Sequence, residues 1–331
     1  MDKIGKSLRP VRPFATALDL FAGCGGLALG FEAAGFETIG YEMNSDCCDT
    51  YNKNLSGKCE EATLSPATQF PAADIVVGGP PCQPFSVGGN QMGLKDTRDG
   101  FPAFISAVEQ VRPRLWLFEN VRGILYKNKW YLEEIITSLE DLGYQVDFRL
   151  LNASHYGVPQ NRERMIVVGH KGGFRFPNPI NRLVTAGDAL GTMATAEPEG
   201  SKFLTKSQDL YIEKYERASK CVNPRDLNLH KPSRTLTCRN LAGATGDMLR
   251  VRLSDGRRRR ILVREAARLQ SFPDWYEFSG GETSQFYQIG NAVAPVFANA
   301  LAQACAEYLC GKVSNSNIEP TRLQTQGVLN F

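Results

Sequence analysis

The sequence predicts an α/β protein, a parallel sheet with helices on its faces joined to a smaller second domain. Three observations predict it. From Ala15 onward, short apolar runs alternate with amphipathic stretches (ATALDLF, LALGFEAAGF, ETIGYE, then ADIVVGG, RLWLFEN and RMIVVGH), as buried strands separated by helices do. Residues 129–142 place Leu132, Ile135, Ile136 and Leu139 at helical spacing, and Gly143 stands where a C-cap ends a crossover helix. After Gly169 the texture changes to KGGFRFPNPINRL and MATAEPEGSK, rich in glycine, proline and polar residues, which marks a domain boundary.

Taken in order, residues 1–14 carry Lys3, Lys6, Arg9 and Arg12 with two prolines and read as a loose leader. Residues 15–170 make the sheet domain and 171–285 the smaller one. Within the smaller domain, 250–263 read as a hairpin in which VRL and ILV flank a turn at Asp255-Gly256. Residues 286–311, strongly apolar from Val293 to Leu309, read as a helix returning to the first domain's core, and 312–331 as a flexible polar tail.

Composition sets outer limits. A chain of 331 residues, 42% hydrophobic and 22% charged, can bury a sizeable core. A net charge of +3 and a pI near 8.3 neither demand nor exclude a polyanionic partner, so local clusters must decide. Nine cysteines contain no C-x-x-C pair and the three histidines are scattered, so no metal site is expected. No run approaches the roughly 18 apolar residues that span a bilayer, so no membrane partner is expected. With an odd cysteine count, this favours a reduced, cytoplasmic compartment.

Four motifs carry chemistry. FAGCGG (21–26) follows a strand and opens a helix, where glycines let backbone approach a ligand at the helix N-terminus. The same glycines serve any tight turn, but Glu42 closes the next strand about 20 residues on, where an acid accepts from ribose hydroxyls. The combination points to an adenosine-type ligand. GGPPCQPFS (78–86) runs from a strand into a loop whose prolines fix the backbone just before Cys82. An isolated cysteine is more often an inert small hydrophobe; the carboxyl end of a parallel strand favours a nucleophile here. Glu119-Asn120-Val121 puts a carboxyl at another strand end, as a proton donor or as a surface cap. QNRERM (160–165) sets Arg162 and Arg164 on one face of a strand, to hold oxygens or to form surface ion pairs.

The chain resembles C5-cytosine-specific DNA methyltransferases. FAGCGG resembles their cofactor loop, PPCQPFS the nucleophile loop, ENV the acid motif, RER the arginine motif, REAARLQSFPD (264–274) the segment leading back from recognition, and QIGNAV (288–293) the closing cofactor motif. The blocks stand in family order from Asp19 to Val293. The resemblance implies a Rossmann-like S-adenosylmethionine-dependent methyltransferase sheet with a target-recognition domain. It implies that Cys82 adds to C6 of a flipped cytosine, that Glu119 holds N3 and the amino group, and that Arg164, with Arg162, stabilises the O2 side. For S-adenosyl-L-methionine it assigns Phe21, Gly23, Gly25, Gly26 and Pro80, with Glu42 at the ribose, Met43 against adenine, and Asn291 and Val293 closing the pocket. Relatives often carry Asp at the adenine amino group, where Glu61 stands here.

The resemblance also implies that the partner is double-stranded DNA, read by residues 171–253, and the protein is expected to act as a monomer. KPSRTLTCRN (231–240) contains the Thr235-Leu236 pair expected near the flipped nucleotide's backbone. Arg234, Arg239 and Asn240 are candidates for base edges or phosphates, and Ser86 for the DNA side of the nucleophile loop. The run Arg257 to Arg260, with Arg250, Arg252, Arg264 and Arg268, is the densest basic feature and reads as phosphate contact or as a solvated turn. Residues 87–100 read as a loop that closes over DNA. An oxidoreductase shares the glycine loop but leaves PPCQPFS, ENV and RER unexplained. An RNA-modifying relative is expected to carry Cys-Phe-Thr, absent here, and a catalytically dead adaptor is expected to lose residues that this chain keeps. The compact length suggests a prokaryotic restriction-modification partner.

Overall fold

The structure is a computed structural model that describes residues 8–81, 99–126, 129–180, 183–218, 225–243 and 246–311. Cys82, Ser86, most of the 87–100 loop and the tail from 312 lie outside the described residues.

A seven-stranded sheet organises the first domain: β1 (Ala15–Leu20), β2 (Phe36–Glu42), β3 (Lys58–Glu61), β4 (Ile75–Gly78), β5 (Leu115–Val121), β6 (Gln145–Asn152) and β7 (Glu163–His170). The order is β3-β2-β1-β4-β5-β7-β6. The first five strands are parallel, whereas β7 runs antiparallel to both β5 and β6. The all-parallel expectation is therefore corrected. A parallel return needs a crossover of a dozen or more residues, usually a helix. Between β6 and β7 the chain offers only a short 3-10 turn, Ala153–Tyr156, and the lead-in to Glu163. The two edge strands, KCEE and QVDFRLLN, carry charge and lack apolar continuity, which protects an open edge and hides them from hydrophobic patterning.

Alternation along the central strands sorts side chains to two faces. Ala17, Ile75, Val77, Leu115, Leu117, Ile166 and Val168 pack beneath α1 (Gly26–Ala33) and the C-terminal helix, with Phe31, Phe297 and Leu301. Leu18, Leu20, Val76, Phe118, Met165 and Val167 pack against Phe101 and Phe104 of α3 (Phe101–Val111) and Leu132, Ile135 and Leu139 of α4 (Lys129–Asp141). Helix α2 (Ser45–Asn54) links β2 to β3. Gly143 follows α4 with φ +85°, the left-handed C-cap conformation. The leader is not loose from Leu8 onward. Leu8 is buried, Arg9 lies 4.6 Å over the Trp275 ring and Phe14 packs 5.2 Å from Phe36.

The second part contains α5 (Ala186–Leu190), α6 (Lys206–Ala218), α7 (Cys238–Ala242), the hairpin β8 (Arg250–Arg252) and β9 (Arg258–Arg260), and α8 (Val263–Leu269). Helices α9 (Glu282–Asn291) and α10 (Pro295–Leu309) follow. Residues 282–309 are long and apolar enough to cross a bilayer by length and composition, but the stretch breaks at Ala292 and most of it is buried in the protein.

The turn at Asp255-Gly256 closes through Leu253 N donating to Arg257 O, so Arg252 pairs with Arg258. The arginines, not Ile261 to Val263, thus form the second strand, and this decides their use. Arg259 is fully buried and holds both carboxylate oxygens of Glu265 at 2.7 and 2.8 Å, while Glu265 also accepts from Leu262 N at the start of α8. Arg250, equally buried, pairs with Glu216 and Asp226 at 2.7 Å, and Arg258 with Asp209 and Asp226 at 3.1 Å. Arg264 and Arg268 bond the carbonyls of Tyr276 and Leu190. Arg250, Arg258 and Arg259 are therefore struts inside the small domain, not phosphate contacts.

Removing one partner of a buried pair strands the other charge. Arg259→Met should lower unfolding free energy by about 3–5 kcal/mol, and Arg259→Met with Glu265→Gln should recover part of it, both read from denaturant titrations.

Candidate active site

Strand order reverses between β1 and β4, and open α/β sheets bind ligands outside the carboxyl ends of strands at such a point. The glycine turn, Glu42, the lead-in to Cys82, Glu119 and Arg164 all come to this edge. After β1 the chain enters a strained turn, Phe21 at φ +58°, Gly23 at +54° and Gly25 at +78°. Glu42, at the end of β2, accepts from Gly23 N with one carboxylate oxygen and from Asn44 N with the other, each at 2.9 Å. A Cβ on Gly23 would meet no atom within 4 Å, whereas one on Gly26 would sit 2.4 Å from Val293 O. The loop is thus open at Gly23 and closed at Gly26 by the far end of the chain. Tyr276 reinforces that closure, its hydroxyl donating to Cys24 O at 2.5 Å.

Beneath this loop Asp19 is 1% exposed and neither carboxylate oxygen has a partner among the described residues. Burial first, and the Glu42 charge second, push its pKa well above the usual carboxylate range. An orphaned buried acid, an open glycine turn and a rim carboxylate fit a ligand that brings ammonium and hydroxyl donors. Met43 is 69% exposed at the same rim, and Glu61 is exposed at the end of β3, in register with Glu42. Asn291 is exposed, its Oδ1 accepting from the Cys238 thiol at 3.0 Å, and Val293 is half-buried.

The segment 78–86 is described as far as Pro81. Asn120 Nδ2 donates to Pro80 O at 3.0 Å, and Gly100 N donates to Pro81 O at 3.0 Å. Asp99 accepts from Phe101 N and bonds the Tyr131 hydroxyl. Both chain ends flanking residues 82–98 are therefore fixed. Glu119 and Arg164 lie beside them, one on β5 and one on β7, with Arg164 Nε 2.5 Å from Glu119 Oε1 and both side chains nearly buried. A Cβ on Gly79 would lie 3.7 Å from the other oxygen of Glu119. A carboxyl and a guanidinium side by side present an acceptor and donors together, which suits the polar edge of an amide-like ring.

Arg162 does not join that pair. Its side chain is buried, donating to Leu236 O at 2.8 Å and to Gly290 O and Ala292 O at 3.1 Å. These three carbonyls take Nη1 and Nη2 while Nε has no partner among the described residues, so the contacts Arg162 makes here brace backbone, whereas a catalytic role was expected of it. On the recognition side, Leu236 is buried, its N–H donating to Gln160 Oε1. Thr235 Oγ1 donates to Asn161 O at 2.7 Å. Asn240 is buried in the α7 capping box with Thr237 and donates to Thr235 O, which removes it from base edges. Arg234 is committed to Asp247, while Arg239 is exposed.

Sequence reasoning missed Asp19, Asn120 and Gln160 as contributors. Asp19 and Asn120 sit inside motifs that were quoted for their neighbours, and Gln160 reads as any polar residue until its partners are known.

The model for C-5 cytosine-specific DNA methylases matches residues 15–307. Type II methyltransferase M.AplI of Arthrospira platensis is 56% identical over 300 residues, covering 90% of this chain and 87% of its own length. Type II methyltransferase M1.HphI of Haemophilus parahaemolyticus is 34% identical, covering 87% of this chain and 86% of its own. Among solved structures, Entamoeba histolytica methyltransferase EhMeth superposes with a TM-score of 0.68 at 16% identity, over 92% of this chain and all of its own. A mutant of Spodoptera frugiperda DNMT2 gives 0.67 at 18% identity, over 89% of this chain and all of its own. At those identities the two structures speak for the fold alone. The family match and the curated relatives, spanning nearly the whole described chain, show that it belongs to the C-5 cytosine-specific DNA methylases.

Proposed function

We propose that this chain transfers a methyl group from S-adenosyl-L-methionine to C5 of a cytosine turned out of duplex DNA, through a covalent bond from Cys82 to C6. The observation that carries the reading is the Glu119–Arg164 pair, 2.5 Å apart, at the strand ends bordering the loop that leads into Cys82. Unactivated C5 is a poor nucleophile, and addition of a thiolate at C6 turns it into an enamine carbon. Glu119 hydrogen-bonds N3 and the exocyclic amine and gives N3 a proton as negative charge builds on the ring. Arg164 holds O2. Both meet charge that develops only during reaction, in a place where water is scarce. A solvent base then takes the C5 proton, Cys82 leaves C6 as a thiolate, and N3 returns its proton to Glu119. Turning the base out of the stack lets a buried pair reach its Watson–Crick edge.

When bound, the cofactor supplies an electrophilic methyl group. Phe21, Gly23, Gly25 and Gly26 form its glycine turn, Glu42 takes the ribose hydroxyls, and Met43, with Glu61, borders the adenine. Pro80, Asn291 and Val293 complete the enclosure. Thr235 and Arg239 remain the recognition residues we assign to the DNA side, with Ser86 in the nucleophile loop; Leu236 is fully buried and Arg234 is held by Asp247. The names of the relatives support a Type II restriction-modification role in a prokaryotic cytoplasm, and we propose a monomer.

Three measurements test this. Methyl transfer from labelled cofactor should label duplex DNA and leave tRNA unlabelled, and bisulfite mapping should show one short recurring site; label in tRNA alone would overturn the DNA reading. Cys82→Ser should abolish transfer while S-adenosylhomocysteine affinity, read by calorimetry, stays within about twofold, because an alkoxide is not available at neutral pH as a thiolate is. Glu119→Gln keeps the shape but cannot give a proton, so kcat should fall by about 10²–10⁴. Unaltered kcat in that variant would remove Glu119 from proton transfer.

A further inference from the structure

We infer that Arg162 is a positioning residue that ties the seating of the recognition segment to the closing of the cofactor pocket, so that DNA and cofactor bind cooperatively. This rests on the functional reading above. The guanidinium stands between two distant pieces of chain. Nη1 donates to Leu236 O, in the segment assigned to the flipped nucleotide's backbone; Nη2 donates to Gly290 O and Ala292 O, on either side of Asn291; Nε has no partner among the described residues. A rigid planar fork committed at both ends cannot follow one segment without leaving the other.

A second bridge runs parallel to the first. Gln160 Oε1 accepts from Leu236 N at 2.9 Å, Gln160 Nε2 bonds Gln270 Oε1, and Gln270 Nε2 donates to Ala292 O at 2.6 Å. Asn161 N donates to Ser233 O and Ser233 N to Pro159 O, so the strand lead-in and the recognition segment are zipped together. The two segments also touch directly. The Cys238 thiol meets Asn291 Oδ1 at 3.0 Å, and a Cβ on Gly290 would lie 2.7 Å from Cys238 N.

The energetics follow from burial. Among the described residues Arg162 bonds no carboxylate, only carbonyls, so a buried cation is solvated by three backbone groups. Displacing any one of them costs the cation part of its solvation. Burial, with the like charge of Arg164, lowers its pKa to about 9, which still leaves it protonated and donating at neutral pH. A ligand that holds either segment in place therefore lowers the cost of seating the other, and the effect is reciprocal.

The test uses the full chain, S-adenosylhomocysteine, and a duplex carrying the site found by bisulfite mapping. Calorimetry gives the affinity for each ligand alone and with the other present. In the wild type each ligand should tighten the other by roughly tenfold. In Arg162→Lys, a point charge that cannot span the carbonyls, the factor should fall to about two, whatever the affinity for each ligand alone. A folded Arg162→Lys with the full factor retained overturns the inference, and so does a wild type that binds both ligands with no mutual effect. Hydrogen exchange on the wild type needs no variant: S-adenosylhomocysteine alone should slow exchange at Leu236 and Leu241 as well as at 288–292. Protection confined to the cofactor loops overturns it equally. A wild type that binds no S-adenosylhomocysteine removes the functional reading, and this inference with it.

Discussion

Between β6 and β7 there is too little chain to cross the sheet, and the consequences of that shortage reach the chemistry. The strand that follows must turn back beside its predecessor, and it inserts between β6 and β5 with the opposite direction. Its beginning therefore lies at the same edge as the end of β5, with Val121 opposite Arg164. Had β7 run parallel to β5, Arg164 would stand at the far edge, a full strand length from Glu119. The pair that defines the site is a product of strand direction, and strand direction is a product of loop length.

A second constraint is that guanidinium groups taken out of water need several acceptors at once. This protein meets that need in two ways. In the small domain the acceptors are carboxylates: Glu265 for Arg259, Glu216 and Asp226 for Arg250, with Asp226 shared by Arg258. These pairs join a three-residue-per-strand hairpin to α6 and α8, where an apolar core of such size would be thin. Where the start of β7 meets the segments at Leu236 and 290–292 the acceptors are carbonyls, and Arg162 gathers backbone from both segments. The modest net charge of +3 conceals how many arginines are consumed internally.

The glycine turn after β1 depends on long-range support in the same way. Its conformation needs positive φ at three positions, and the groups that hold it come from elsewhere: Glu42 across the neighbouring strand, Tyr276 and Val293 from the end of the chain. Asp19, beneath the turn, is buried with neither carboxylate oxygen partnered among the described residues, at the place where a cationic ligand end would relieve it.

Local sequence was enough for whatever depends on local physics. Apolar alternation marked β1, β2, β4, β5 and β7, Gly143 ended α4, and the Asp255-Gly256 turn located the hairpin. The order of FAGCGG, PPCQPFS, ENV, RER and QIGNAV carried the family. Tertiary structure decided what depends on partners far away in the chain. Arg162 and Arg164 are two residues apart and indistinguishable by pattern. Yet the first is enclosed by carbonyls 74, 128 and 130 residues distant, and the second meets Glu119 across a strand pairing. The basic hairpin reads as a surface for phosphate until its acidic partners are seen to come from α6, α8 and the segment at Asp226. The charge of a side chain is written in the sequence, but whether it faces water, a carboxylate or a ring of carbonyls is set by which segments the fold brings against it.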